Sequence, residues 1–146
     1  MPDFLGQYNY SLDEKGRVSI PKKFRREPAP DTKETFVVTI GHDKCLFVYP
    51  LERWEEKASV LRDQPMSDER SRKWVRLFAS NATYAVCDKQ GRIMLPPNLM
   101  EWARLEKDVV INGMLDHIEI WAPGMFAAYS ADMEEEFEKL AEDVLF

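Results

Sequence analysis

The side chains best placed to do chemistry in this chain of 146 residues are two arginines in matching settings. Asp13-Glu14-Lys15-Gly16-Arg17-Val18-Ser19-Ile20-Pro21 returns as Asp88-Lys89-Gln90-Gly91-Arg92-Ile93-Met94-Leu95-Pro96, and both read D-x-x-G-R, apolar, any residue, apolar, Pro. A guanidinium is a planar fork of donors that suits phosphate oxygens and the edge of guanine. Bond-breaking chemistry finds little support. His42 and Cys45 flank a turn, and the matching positions of the second copy are Leu115 and Ile118. A thiol nucleophile needs a stabilised thiolate, and a metal needs three or four ligands. His117 stands alone, Glu134-Glu135-Glu136 has the spacing of a solvated helix face, and no Gly-rich phosphate loop follows a strand. Neither an enzyme, nor a metal site, nor a bound cofactor is expected.

The D-x-x-G-R segments admit two readings. In one, Asp13 with Gly16, and Asp88 with Gly91, form tight turns that each arginine braces by pairing with its aspartate. In the other, Arg17 and Arg92 reach outward to an anionic partner. The first copy continues Pro21-Lys22-Lys23-Phe24-Arg25-Arg26, so residues 13–26 hold six basic side chains against two acidic ones. The second continues Pro96-Pro97-Asn98-Leu99-Met100, with no cation until Arg104. The basic surface is therefore expected on the first copy. Overall the chain is acidic, with 20 Lys and Arg against 26 Asp and Glu, yet residues 1–73 stand at +1 and residues 74–146 at −7. Phosphates meet a local patch rather than a net charge, so the sum does not exclude nucleic acid.

Elements must hold these turns, and the duplication extends to them. Thr35–Pro50 aligns with Asp108–Pro123 through an apolar run, an aspartate and a closing proline, while the offset slips from 75 residues to 73. Self-similarity over about 40 residues points to two equivalent units packed about a pseudo-twofold, since either alone would bury too little. Strands are expected at Leu5–Leu12, Arg17–Pro21, Phe36–Ile40 and Cys45–Tyr49. Pro21 opens a short helical turn, and Gly41-His42-Asp43-Lys44 forms a hairpin loop. Leu51, Trp54, Ala58 and Leu61 then mark a helix, Pro65 breaks it, and Ser67 is the expected N-cap of a second helix carrying Trp74, Leu77 and Phe78. After Pro123 a single long amphipathic helix is expected through Phe126, Tyr129, Met133, Phe137, Leu140 and Val144, its apolar stripe facing its own protein or a sister subunit. The units are thus residues 5–50, linking helices 51–80, a second repeat 81–123, and a C-terminal helix 124–146. No run approaches the ~20 apolar residues of a membrane span. Two unpaired cysteines without a secretory leader suit a reducing cytoplasm.

The duplicated motif with its following strand and proline, the hairpin ending in Tyr49-Pro50 and the interleaved helices resemble, over nearly the whole chain, the MraZ family of bacterial transcriptional regulators. That family is related to the AbrB, SpoVT and MazE-type DNA-binding domains. The resemblance implies an α+β fold in which two hairpin repeats close into a pseudo-dimeric swapped-hairpin barrel with flanking helices. It also implies a homo-oligomeric ring on double-stranded DNA, associated with the nucleoid. Such a regulator would act, as a repressor, on repeated sites upstream of the division and cell-wall gene cluster that includes its own gene. Arg17 is then the key contact, Lys15, Lys22, Lys23, Arg25 and Arg26 meet phosphates, and Asp13 orients Arg17. Arg92 either touches DNA or braces its turn with Asp88. The alternative is an antitoxin-like module that binds a toxin or another protein.

Overall fold

The computed structural model describes residues 2–26 and 33–144. Residues 27–32 of the expected first repeat and the last two positions of the expected C-terminal helix lie outside them. The first motif and hairpin form β1 (Gln7–Ser11), β2 (Arg17–Ser19), β3 (Thr35–Ile40) and β4 (Leu46–Pro50). Their counterparts are β5 (Thr83–Val86), β6 (Arg92–Met94), β7 (Asp108–Gly113) and β8 (Ile118–Trp121). Helices α1 (Leu51–Arg62) and α2 (Glu69–Ser80) join the halves, α3 (Pro97–Trp102) follows β6, and α4 (Pro123–Ser130) and α5 (Met133–Leu140) come last. The fold is α+β.

The strands form one antiparallel six-stranded sheet, ordered β1-β7-β8-β4-β3-β5, and a separate ribbon, β2-β6. Exchanging β1 with β5, β3 with β7 and β4 with β8 reverses that order and leaves it unchanged. The sheet therefore has an internal two-fold between β4 and β8. Neither β1 nor β2 pairs with the other across the turn that joins them: β1 lies on β7, and β2 lies on β6. Each repeat is completed by the other, which is why neither could stand alone.

Side-chain alternation divides the molecule into three layers. Val38, Ile40, Leu46, Val48, Ile111 and Ile120 face a cluster made with Val18, Ile20, Phe24, Ile93 and Leu99, so one sheet face carries the ribbon, the turn after Pro21 and α3. Phe47, Tyr49, Val110 and Trp121 face the other way and pack with Trp54 of α1, Phe78 of α2 and Phe126 of α4. Covered on both faces, β4 is buried at every position, and its run Leu46-Phe47-Val48-Tyr49 reads accordingly as continuous apolar sequence. Thr39 is a buried polar residue on the helix side, where its Oγ1 donates to the Phe78 carbonyl at 2.7 Å.

Two expected boundaries move. Asp68 rather than Ser67 caps α2: its carboxylate accepts from the Ser71 amide at 3.2 Å and the Ser71 hydroxyl at 2.7 Å, two bonds that hold its pKa below the usual carboxylate range. The C-terminal helix is two helices, separated at Ala131-Asp132. Phe126 and Tyr129 pack on Trp121, whereas Phe137 and Leu140 of α5 are exposed. Ser130 and Asp132, short polar residues that favour helix ends over interiors, stand at the join. Among the described residues no helix is long and apolar enough to cross a membrane.

Candidate nucleic-acid interface

Both D-x-x-G-R segments fold into the same tight turn. Asp13 Oδ1 accepts from the backbone amides of Lys15 and Arg17, each at 2.9 Å, and Oδ2 accepts from Arg17 Nε at 2.7 Å. Asp88 repeats the pattern with Gln90 at 2.8 Å, the Arg92 amide at 3.0 Å and Arg92 Nε at 3.1 Å. Gly16 and Gly91 close the turns at φ 78° and 79°, a left-handed conformation that costs any residue with a Cβ. Spacing and residue types are thus dictated by the turn: a side chain that accepts two amides, a residue free of Cβ, and a donor three-dimensionally adjacent to the same carboxylate.

The two turns also interlock. Ile20 N donates to Gly91 O at 2.9 Å and Leu95 N to Gly16 O at 3.0 Å, so each turn finishes the ladder of the other repeat's strand. Register places Val18 opposite Ile93, both completely buried, which turns Arg17, Ser19, Arg92 and Met94 together onto the outer face of the ribbon. There Arg92 Nη1 donates to Asp13 Oδ2 at 3.2 Å, and the two guanidinium groups converge on one carboxylate. The Arg92 guanidinium is held by Nε on Asp88 and Nη1 on Asp13, whereas the Arg17 guanidinium is held by Nε on Asp13. Both side chains keep a quarter or more of their surface, 29% and 26%, open to solvent.

The backbone amide of Arg17, aided by its guanidinium, holds the Asp13 carboxyl at about 2, below its ordinary 3.8. Asp88 is lowered in the same way, first by the Arg92 amide. A carboxylate whose pKa is lower in the folded chain contributes stability that is fully present above the unfolded value and lost as pH falls toward the folded one. Thermal melts between pH 5 and pH 2 should therefore show Tm falling below about pH 4, and Asp13→Asn should flatten that acid limb while lowering Tm at neutral pH.

The sequence that builds these turns has relatives among known proteins. The family model for the MraZ protein, an antitoxin-like family by its description, matches the chain twice, over residues 4–77 and 78–146. The chain belongs to the MraZ family. It is 42% identical over 142 residues to the transcriptional regulator MraZ of Moorella thermoacetica, covering 97% of this chain and 96% of that one. The protein of the same name from Halothermothrix orenii is 43% identical over 138 residues, 94% of each. That of Desulfitobacterium hafniense is 42% identical over 142 residues, 97% of this chain and 96% of the relative.

In this MraZ-family chain the basic residues of the first copy separate into two groups. Lys15, Lys22 and Lys23 are exposed and, among the described residues, make no ion pair. Phe24, next after Lys23, is buried, edge-on to Phe4 and Tyr8, and anchors the segment. Arg25 and Arg26 are turned onto protein. The Arg25 guanidinium lies against Gly91, with Nε buried and unpartnered among the described residues, and Arg26 pairs with Glu52 of α1 while its amide donates to Glu34 at 2.9 Å. Sequence reasoning passed over Ser19 and Met94, which share the arginines' face, and the exposed Lys89 within the second turn. The alternation Arg17-Val18-Ser19 and Arg92-Ile93-Met94 carries that signal.

The residues weighed for catalysis are placed otherwise. His42 packs edge-on to Phe47 and Trp74, and His117 lies between Phe47 and Tyr49 with Nδ1 at 2.6 Å from Asp116. Burial, reinforced by Glu119, pushes the Cys45 thiol far up, which keeps it protonated and unreactive. Cys87 is pushed to about 11, chiefly by burial. Among the described residues no three His, Cys, Asp or Glu side chains are grouped to hold a metal.

Proposed function

We propose that this chain is a DNA-binding transcriptional regulator whose contact surface is the outer face of the β2-β6 ribbon and its two turns. The observation that carries the reading is the convergence of Arg17 and Arg92 on Asp13, outside a ribbon whose inner side is locked into the core. A two-stranded ribbon fits the major groove, and a guanidinium whose Nε is already fixed by a carboxylate offers its terminal nitrogens to a base edge with little loss of rotamer freedom. Arg17 is the base-reading residue. Lys15, Lys22 and Lys23 meet phosphates, as do Arg25 and Arg26 where their protein contacts leave nitrogens free, and Asp13 orients rather than touches DNA. Arg92, already held by two carboxylates, mainly braces the turns. The names of the relatives, each a transcriptional regulator, agree with this role.

The cross-repeat pairing of β1 with β7, β5 with β3 and β2 with β6 supports reading the pair of repeats as a pseudo-dimeric swapped-hairpin barrel. The exposed Phe137 and Leu140 on acidic α5 suit contacts between subunits of a homo-oligomeric ring. Such a ring on repeated sites gains from effective concentration what a single small ribbon lacks in area. The expected sites lie in DNA upstream of the chain's own gene, in the division and cell-wall cluster, and the chain works in the cytoplasm on the nucleoid.

Arg17→Ala tests the assignment. Titrated at fixed salt against a duplex of that upstream DNA, it should lose about 1–3 kcal/mol of affinity, roughly 5- to 150-fold, with discrimination against a scrambled duplex reduced. Unchanged affinity in a variant that keeps its Tm would overturn the reading.

A further inference from the structure

The cations that follow Pro21 in sequence do not end beside the turn they follow. Because β2 and β6 run antiparallel, the chain leaving each strand travels toward the turn of the other repeat. Ile20 donates to the Gly91 carbonyl one residue before Pro21, and Lys22–Phe24 forms a 3-10 turn immediately beyond. Arg25 fixes the arrival point. A Cβ added at Gly91 would lie 2.1 Å from Arg25 Nη1 and 2.3 Å from its Cζ, so the guanidinium is laid on the glycine of the second turn. The contact related to it by the pseudo-twofold exists but has no charge: Leu95 donates to the Gly16 carbonyl, and a Cβ at Gly16 would meet Met100 Sδ at 3.1 Å. Where the pseudo-twofold puts a thioether on the first turn, it puts a guanidinium on the second.

The charge around the two turns is correspondingly unequal. Beside the first, Lys15, Arg17 and Lys107, with Arg92 reaching across, stand against Asp13, Glu14 and Glu106, an excess of one cation. On the side of the second, Arg25, Lys89 and Arg92, with Lys22 and Lys23 on the segment that Ile20 and Arg25 hold to Gly91, stand against Asp88, Glu34 and the shared Asp13. Asp88 is occupied by Arg92 and two turn amides, and Glu34 by the Arg26 amide. Lys22, Lys23 and Lys89 are exposed.

We infer that Lys22, Lys23 and Arg25 of the first repeat combine with Lys89 and the second turn, Asp88–Arg92, into a composite site for the backbone phosphates of duplex DNA. The site rests on the DNA-binding reading above and divides its labour. The first turn presents Arg17 to base edges, and the second turn anchors the duplex through charge delivered across the pseudo-twofold. Arg25 acts as the positioning residue, its guanidinium tying the lysine-bearing segment to Gly91. Phosphate contacts hold register without carrying sequence information, so the two turns should separate in experiment.

The double variant Lys22→Gln/Lys23→Gln alters two exposed side chains outside the core and should fold normally. On upstream and scrambled duplexes alike it should weaken binding, lower the slope of log K against log salt by roughly 2, at about 0.9 per phosphate contact, and preserve the preference between them. Duplexes carrying single methylphosphonates then locate the contact. Phosphates whose neutralisation becomes silent in the double variant should also become silent in Lys89→Gln, and should remain sensitive in Lys15→Gln. If they coincide with those of Lys15 instead, the composite site is wrong. If the double variant leaves slope and affinity unchanged while Arg17→Ala still weakens binding, the composite site fails and the DNA-binding reading stands. If Arg17→Ala is silent as well, both fail.

Discussion

Ile93→Ala is expected to lower folding stability by about 2–5 kcal/mol, a large share of the 5–15 kcal/mol typical of a domain, and to weaken DNA binding in the molecules that remain folded. Ile93 is completely buried and faces the equally buried Val18 across the ribbon. With strands of three residues, the ribbon has little besides this inner pair and the flanking Ile20 and Leu95 to fasten it to the sheet. Truncation removes apolar contacts and leaves a cavity under the strand whose outer neighbours are Arg92 and Met94. The carboxylate-guanidinium geometry outside then loses its floor. Urea unfolding should show a lower midpoint with an unchanged m-value. Met94→Ala, on the outer face of the same strand and 53% exposed, should shift stability by less than about 0.5 kcal/mol. Equal losses for the two would show that the ribbon is not seated as the register places it.

The local features of the turns are legible in sequence because their causes are local. Asp, Gly and Arg at D-x-x-G-R spacing specify a carboxylate that accepts nearby amides, a left-handed residue and a brace, and the structure holds both copies that way. Pro21 ending a strand, the loop at Gly41–Lys44 and the helix after Pro50 follow from equally short-range rules. What periodicity does not encode is which strand lies beside which. Cross-repeat pairing is set by burial over separations of about a hundred residues, such as Tyr8 with Ile111, and it carries the chain leaving β2 toward the other repeat's turn. A charge patch drawn along the chain therefore fell on the first copy, while in space Arg25 rests on Gly91. The expected single C-terminal helix fails for a related reason. Its apolar stripe continues without a break, but α4 has Trp121 to pack on and the exposed Phe137 and Leu140 of α5 do not.

Phe78→Ala should be the more damaging substitution for the fold, at about 3–5 kcal/mol, yet the less damaging one for the interface. Phe78 is 3% exposed and stacks on Trp74 at 4.6 Å and Trp54 at 5.9 Å, with Phe47 of the central strand β4 edge-on at 6.5 Å. It thereby ties α1 and α2 to the sheet. Removing the ring empties the middle of that stack, while the Phe78 carbonyl that accepts from Thr39 remains in the backbone. The cavity opens on the sheet face opposite the ribbon, with the sheet and its ribbon-side cluster between them. A link across is the exposed pair Arg26–Glu52, and exposed pairs of this kind contribute little. Well below its lowered Tm, Phe78→Ala should thus bind the upstream duplex as the parent does, whereas Ile93→Ala should not. DNA titrations of both variants at a temperature where each is folded, with unfolding curves run alongside, decide the matter. Should Phe78→Ala weaken DNA binding as much as Ile93→Ala does, contact would require the helix layer, and the ribbon face alone could not be the interface.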